Sequence, residues 1–126
     1  AVVSAPLTDE EKAAIALFGS APPNIQVLTN PIESTSESVA RGKELYDNYC
    51  STCHGLQGGG NGPAAHGIST FPGQLWVWNN ADSSEDGDLF WFITEGGSDM
   101  PPWGVILSEN ERWDVINYVK TLTKPE

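Results

Sequence analysis

The sequence predicts a small all-α domain of three to five helices joined by long loops, and three observations carry that expectation. Thr8-Asp9-Glu10-Glu11 and Ser108-Glu109-Asn110-Glu111 both read as capping boxes, with a hydroxyl at the N-cap and a Glu three residues on. Apolar residues follow each box at helical spacing, most clearly Val115, Tyr118, Val119 and Leu122. The 126 residues include 13 Gly and 9 Pro, many of them clustered, so much of the remainder must be loop. The length suits a single domain. A loop-rich domain of this size commonly needs a staple, and two cysteines this close together make a poor disulfide framework.

Taken in order, the first helix runs from Thr8 through Ala13, Ala14, Leu17 and Phe18 and stops at Gly19. Between Ser20 and Ser38 the text turns to Pro22-Pro23, Asn30-Pro31 and a Ser/Thr/Glu-rich stretch, which reads as an extended arm. A second helix is expected from Glu37 to about Tyr49, running straight into Cys50-Ser51-Thr52-Cys53-His54-Gly55. Gly58-Gly59-Gly60-Asn61-Gly62-Pro63 must be loop, and Leu75-Trp76-Val77-Trp78 passes for a short strand. A third helix starts near Ser83 or Ser84, carries Leu89, Phe90, Phe92 and Ile93, and ends by Gly96-Gly97. The helix after Ser108 is the last.

Charge narrows the partners. Seventeen Asp and Glu against six Lys and Arg give a formal −11, which disfavours nucleic acid and anionic membrane, since both reward clustered cations. The balance suits plain solvation or partners with basic docking surfaces. No apolar run approaches the ~20 residues that span a bilayer. The opening Ala1-Val2-Val3-Ser4, without Met, fits a precursor whose signal peptide or anchor has been removed.

The chemistry is concentrated in Cys50-Ser51-Thr52-Cys53-His54. Two thiols two residues apart can each add across a vinyl group of one haem, and the following histidine then falls beneath the iron; this is why C-x-x-C-H reads as c-type haem attachment. A zinc site would need a fourth ligand beyond Cys50, Cys53 and His54, with only His66 and carboxylates left to supply it. A thioredoxin-like redox pair would want a βαβ context that the sequence does not offer. A low-spin haem also needs a sixth ligand, and a thioether is a soft donor that favours ferrous iron. Met100 is the sole methionine, between Gly96-Gly97-Ser98-Asp99 and Pro101-Pro102-Trp103, off any apolar helical stripe. A gap-filling core role is its ordinary alternative.

Together, Cys50-Ser51-Thr52-Cys53-His54-Gly55, the later Met100-Pro101 and the final amphipathic helix resemble a class I c-type cytochrome of the bacterial monohaem kind. The resemblance covers about Val39 to Leu122. It implies one covalent haem c held by Cys50 and Cys53, with His54 and Met100 as iron ligands. It implies that Gly42 and Tyr46, eight and four positions before Cys50, meet Val115 and Tyr118 of the last helix at a close crossing. It also implies that the Pro63 carbonyl, within Gly62-Pro63-Ala64-Ala65-His66-Gly67, accepts the other ring N–H of His54 and fixes its tautomer, leaving His66 as a surface loop residue.

The glycine run at 58–62 lacks the following Lys-Ser/Thr of a phosphate cradle. Trp76, Trp78 and Trp103 are expected to pack on the porphyrin, and the indole N–H of Trp76 or Trp78 is a candidate donor to a haem propionate. The resulting expectation is an extracytoplasmic or periplasmic one-electron carrier, with residues 1–38 as N-terminal helix and arm and 39–126 as the haem domain. Three alternatives stand beside it: a fixed subunit of a larger oxidoreductase, a haem enzyme or gas sensor with an open sixth position, and a zinc-binding interaction module.

Overall fold

The computed structural model describes residues 22–67, 74–79, 85–96 and 100–124. The helix expected between Thr8 and Gly19, and the start of the third helix at Ser83 or Ser84, lie outside the described residues. Among those described, the regular structure is helical, and short turns of helix punctuate the loops.

Pro22-Pro23 sets the first element. Pro at the first helical position has the required φ and no N–H to waste, and a single turn, α1 (Pro23–Gln26), forms there. Helix α2 (Ser36–Leu45) begins where the Thr35 hydroxyl accepts the Ser38 N–H at 3.1 Å, with Glu37 in its first turn and Lys43 in its last, both favourable to the helix dipole. It passes into a wider π-turn, Tyr46–Cys50, and then into α3 (Ser51–His54). Helix α4 (Asp86–Glu95) has Asp86 and Asp88 in its first turn and ends at Gly96, whose φ of 65° a residue with a Cβ rarely adopts. Helix α5 (Glu109–Val119) carries the full capping box: Ser108 Oγ accepts from Glu111 N at 3.1 Å, and Glu111 Oε1 accepts from Ser108 N at 2.8 Å.

Every residue of α5 from Trp113 to Val119 is buried, so this helix is the axis of the domain. One side meets α2. A Cβ at Gly42 would run into the Asp114 carbonyl and lie 2.9 Å from Tyr118 Cβ, so only glycine allows the two backbones to come so close. One turn on, Tyr46 and Tyr118 meet in a tilted contact, with ring centroids 5.2 Å apart and planes at 56°. A second side meets α4, where Trp113 stacks on Phe90 at 4.1 Å. Val115, Ile116 and Val119 fill the interior beside Tyr46, Trp78, Leu89 and Leu107.

Two segments depart from the sequence reading. Leu75–Trp78, read as a short strand, is a turn of 3-10 helix, because its alternating apolar residues have no partner strand to pair with among the described residues. The described part of the stretch read as an extended arm, 22–35, carries α1 and lies against α4: a Cβ at Gly87 would strike the Ile25 carbonyl. Asn30 is its anchor. Its backbone N–H donates to Asp86 Oδ2 at 2.8 Å, and its amide donates to the Trp113 carbonyl at 3.2 Å and to Asn117 Oδ1 at 3.0 Å.

From Asn30 a chain of polar contacts runs under the helices. Asn117 donates to Ser38 Oγ at 2.9 Å, Ser38 donates to Asp114 at 2.6 Å, and Arg41 closes on Asp114 at 2.9 Å. At the other end Lys120 pairs with Asp86. Ser38, Asp86, Asp114 and Asn117 are all buried, and each needs these partners, since an unsatisfied buried polar group costs about 1–3 kcal/mol.

Two outcomes follow for the purified chain. Gly42→Ala is expected to lower unfolding stability by about 2 kcal/mol or more, because overpacking a helix crossing forces the backbones apart; a guanidinium midpoint equal to wild type would contradict the close crossing. Asn30→Ala should cost about 1–3 kcal/mol by removing the amide that donates to the Trp113 carbonyl and to Asn117 Oδ1, while Val27→Ala, at a side chain 76% exposed, should stay within about 0.5 kcal/mol.

Candidate haem-binding cleft

The site begins with the way α2 ends. In the π-turn, Tyr46 and Cys50 both point inward, while Tyr49 is turned out and 40% exposed. A wider turn makes that division possible, since in an α-helix residues three and four apart share a face. The sequence reading extended a regular helix to Tyr49 and missed this widening. The Tyr46 hydroxyl crosses the turn to donate to the Gly55 carbonyl at 2.6 Å. Burial raises its pKa well above that of a free phenol, so it remains a neutral donor.

Beyond His54 the chain folds back beneath the cysteine turn. Gly60 N donates to the His54 carbonyl at 2.7 Å, and Gly62 N donates to that of Cys53 at 3.0 Å. Gly55 takes a φ of 82° to begin the reversal. Gly62 lies so close to the Ser51 and Thr52 carbonyls that a Cβ has no room there. Pro63, next in the chain, opens the 3-10 turn Pro63–Gly67, which packs against α3. The glycine-rich loop is thus a tight reversal around Cys53-His54. The His66 side chain lies outside the described residues.

Met100 approaches from the far end of the sequence. The backbone of Gly96 abuts Met100 and Pro101, with no space for a side chain between them. The following turn, Trp103–Val105, seats Gly104 against Thr94 and places Trp103 on Tyr49, with ring centroids 5.5 Å apart. Contacts with the end of α4 and with Tyr49 therefore fix the strap that carries Met100.

These segments line a cleft that is partly open to solvent. It is lined by Cys50, His54 and Met100 together with Tyr46, Leu75, Trp78, Leu89, Phe92, Ile93, Val115, Ile116 and Val119. The wall is almost wholly apolar with a few convergent donor atoms, the character of a cofactor site. Burial, followed by the neighbouring Cys53, pushes the Cys50 thiol up to about 12, so it stays protonated in the interior. Both cysteines are unpaired. Large flat apolar walls, two free thiols on one short turn, an imidazole and a thioether are the donor set and surface that a covalently attached porphyrin requires.

Of the residues singled out in the sequence, Cys50, His54, Met100 and Trp78 come together in the cleft, and Cys53 lies on the same short helix as His54. Trp78 is 5% exposed. Trp76 projects elsewhere: its ring packs over Gly59, at 3.0 Å from where a Cβ would stand. Trp103, half-buried against the core, packs on Tyr49. Leu75, Phe92, Ile93 and Val119 join the lining; the apolar run Leu89 to Ile93 was the visible signal for two of them. Among the described residues, no group of three or more His, Cys, Asp and Glu side chains converges to hold a metal ion.

Comparison with known proteins agrees with this geometry. Residues 37–119 match the family described as cytochrome C oxidase, cbb3-type, subunit III. Among solved structures, a chain of the Kuenenia stuttgartiensis reducing HAO-like protein complex superposes with a TM-score of 0.65 at 28% identity, covering 79% of this chain and 49% of that one. The KustC0563 c-type cytochrome matches at 26% identity and TM-score 0.53, over 66% of this chain and 98% of its own. Cytochrome CL of the marine methylotroph Methylophaga aminisulfidivorans shares the fold at 24% identity and TM-score 0.54, over 70% of this chain and 55% of that one. The chain therefore spans about half the length of two of these three structures. With two thirds of its length matched, the chain belongs to the cbb3-type cytochrome c oxidase subunit III family, as a monohaem class I c-type cytochrome domain whose covalent haem c serves electron transfer.

Proposed function

We propose that this chain is a one-electron carrier working outside the cytoplasm, in which Cys50 and Cys53 would hold the haem through thioethers and His54 and Met100 would ligate its iron. The observation that carries the ligand assignment is the meeting of His54 and Met100 in one apolar cleft, although they come from opposite halves of the chain. The bound haem supplies an iron that alternates between ferric and ferrous states. The protein's own part is to hold, exclude and orient. Tyr46, Leu89, Val115, Ile116 and Val119 keep water from the cleft, which disfavours the more highly charged iron state. The Pro63 carbonyl, on the loop tied beneath His54, orients the imidazole by accepting its other N–H. Trp78 contributes apolar wall, and its indole N–H or that of Trp76 serves a propionate. A rigid Met100 strap limits reorganisation between oxidation states.

In this reading residues 39–126 form the haem domain and 1–38 an N-terminal extension. The domain transforms no substrate itself, and its acidic surface favours partners with basic docking faces. No helix among the described residues is long and apolar enough to cross a membrane. A second arrangement, a fixed subunit within a larger oxidoreductase, draws support from the family match and from the Kuenenia neighbour, which is itself part of a complex. Gel filtration of native extract separates the two: a free carrier elutes near its 13.6 kDa mass, a fixed subunit with its complex.

Expressed with the cofactor-maturation machinery of a competent host, the chain should give a pyridine haemochrome of one haem per polypeptide, and Cys50→Ser with Cys53→Ser together should abolish covalent retention. A colourless product with the mass of bare polypeptide would overturn the carrier reading. Met100→Ala is expected to remove the weak red-edge ferric absorption of thioether ligation, lower the midpoint potential and open ferrous iron to carbon monoxide. If wild type already binds carbon monoxide readily and lacks that band, Met100 is not the ligand and the gas-sensor reading takes its place. Trp78→Phe and Trp76→Phe, measured separately, should shift the potential or its pH dependence only at the residue that serves the propionate.

A further inference from the structure

Met100 rides on a strap most of whose side chains do little to hold it. Pro101 and Pro102 are exposed, Val105 is 82% exposed and Ile106 55%. The strap is fastened at its ends: the backbone of Gly96 abuts Met100 and Pro101, and Leu107 is taken into the core at 4% exposure. Between these ends, Gly104 lies against Thr94, which Arg112 pins with a 2.6 Å hydrogen bond. Trp103 is half-buried against the core, and its ring meets that of Tyr49 with centroids 5.5 Å apart and planes at 59°. The Trp103 carbonyl accepts the Ile106 and Leu107 N–H groups at 3.0 and 2.8 Å, so this residue is also tied to the buried end of the strap.

Tyr49 does not line the cleft, yet it immediately precedes Cys50 on the turn that leads into His54. The π-turn that sends its ring outward also brings it onto Trp103. One contact thus joins, directly, the two segments that carry His54 and Met100 to the cleft. We propose that Tyr49 and Trp103 form a clasp that keeps the Met100 strap closed, with Tyr49 as a positioning residue for the thioether. The inference rests on Met100 being an iron ligand and concerns what keeps it there. Methionine is a neutral donor on a flexible side chain, so an outside nitrogen donor can replace it whenever the strap swings away. For the strap to leave, the two rings must part. A tilted aromatic pair favours the closed arrangement by about fivefold. The aromatic contact, and not the exposed aliphatic residues beside it, therefore governs how often the sixth position opens.

The test uses the full-length, haem-loaded ferric protein with imidazole as the entering ligand, followed by stopped-flow loss of the weak red-edge absorption of thioether ligation. At saturating imidazole the observed rate is that of strap opening. Tyr49→Ala should raise it about fivefold. Tyr49→Phe, which keeps the ring, should retain the wild-type rate, as should Val105→Ala on the exposed side of the same strap. Trp103→Leu should be at least as fast as Tyr49→Ala, and combining the two should add little, since both remove one contact. Tyr49→Ala exchanging at the wild-type rate, Tyr49→Phe as fast as Tyr49→Ala, or full additivity in the double variant would overturn the clasp. Tyr49 is 40% exposed, so its truncation leaves a folded protein to measure even where Trp103→Leu does not fold. A wild type without the red-edge band overturns the ligand reading and the clasp with it. A wild type that has the band, with an indifferent Tyr49→Ala variant, overturns the clasp alone.

Discussion

The close approach of α2 and α5 at Gly42 is the constraint on which the remaining architecture depends. Removing one side chain lets the backbone of α2 rest on that of α5 near Asp114, and this contact brings Tyr46 onto Tyr118. With Tyr46 fixed, its hydroxyl can reach the Gly55 carbonyl and tie down the turn that carries both cysteines and His54. The placement of the donor atoms is therefore set by backbone packing some distance from them. A larger residue at position 42 would displace the attachment turn as well as strain the helices.

On this crossing the chain builds two environments of opposite character. On one side lies an apolar cleft walled by Val115, Ile116 and Val119; on another, a buried polar chain joins Asn30, Asn117, Ser38 and Asp114. Helix α5 serves both because it is buried all round and its residues alternate between them. Directional hydrogen bonds tolerate little displacement, so the polar side fixes the register of α2, α4 and the 22–35 segment. The cleft's apolar contacts tolerate more, and a large planar cofactor held by two thioethers supplies the missing specificity there. A family built on covalent haem c can thus afford a core with a wide gap in it.

The acidity of the chain follows the same partition. The buried carboxylates Asp86 and Asp114 are matched to Lys120 and Arg41, and the excess negative charge is left to the exposed surface. Surface charge of one sign does little for stability but raises the encounter rate with oppositely charged proteins and discourages self-association.

What the sequence determined by itself was the chemistry and the local signals that need no distant partner. Cys50, Cys53 and His54 are defined by spacing along a few residues, and the capping box at Ser108 with Glu111 closes within one turn. The glycine at 42 and the aromatic at 46 were legible because their spacing to Cys50 resembles a known pattern. What only the tertiary structure decided were the matters that depend on neighbours remote in sequence. Leu75–Trp78 looked like a strand, yet a strand needs pairing, and this segment packs instead as a 3-10 turn beside α5 and the glycine loop. The π-turn before Cys50 lets Tyr46 and Cys50 face inward while Tyr49 faces out, a division that no local propensity encodes. Asn30 read as part of a loose arm because its partners, Asp86, Trp113 and Asn117, lie far along the chain. Hydrogen bonds across such separations form only once helices are packed, so their donors and acceptors carry no signature in one dimension.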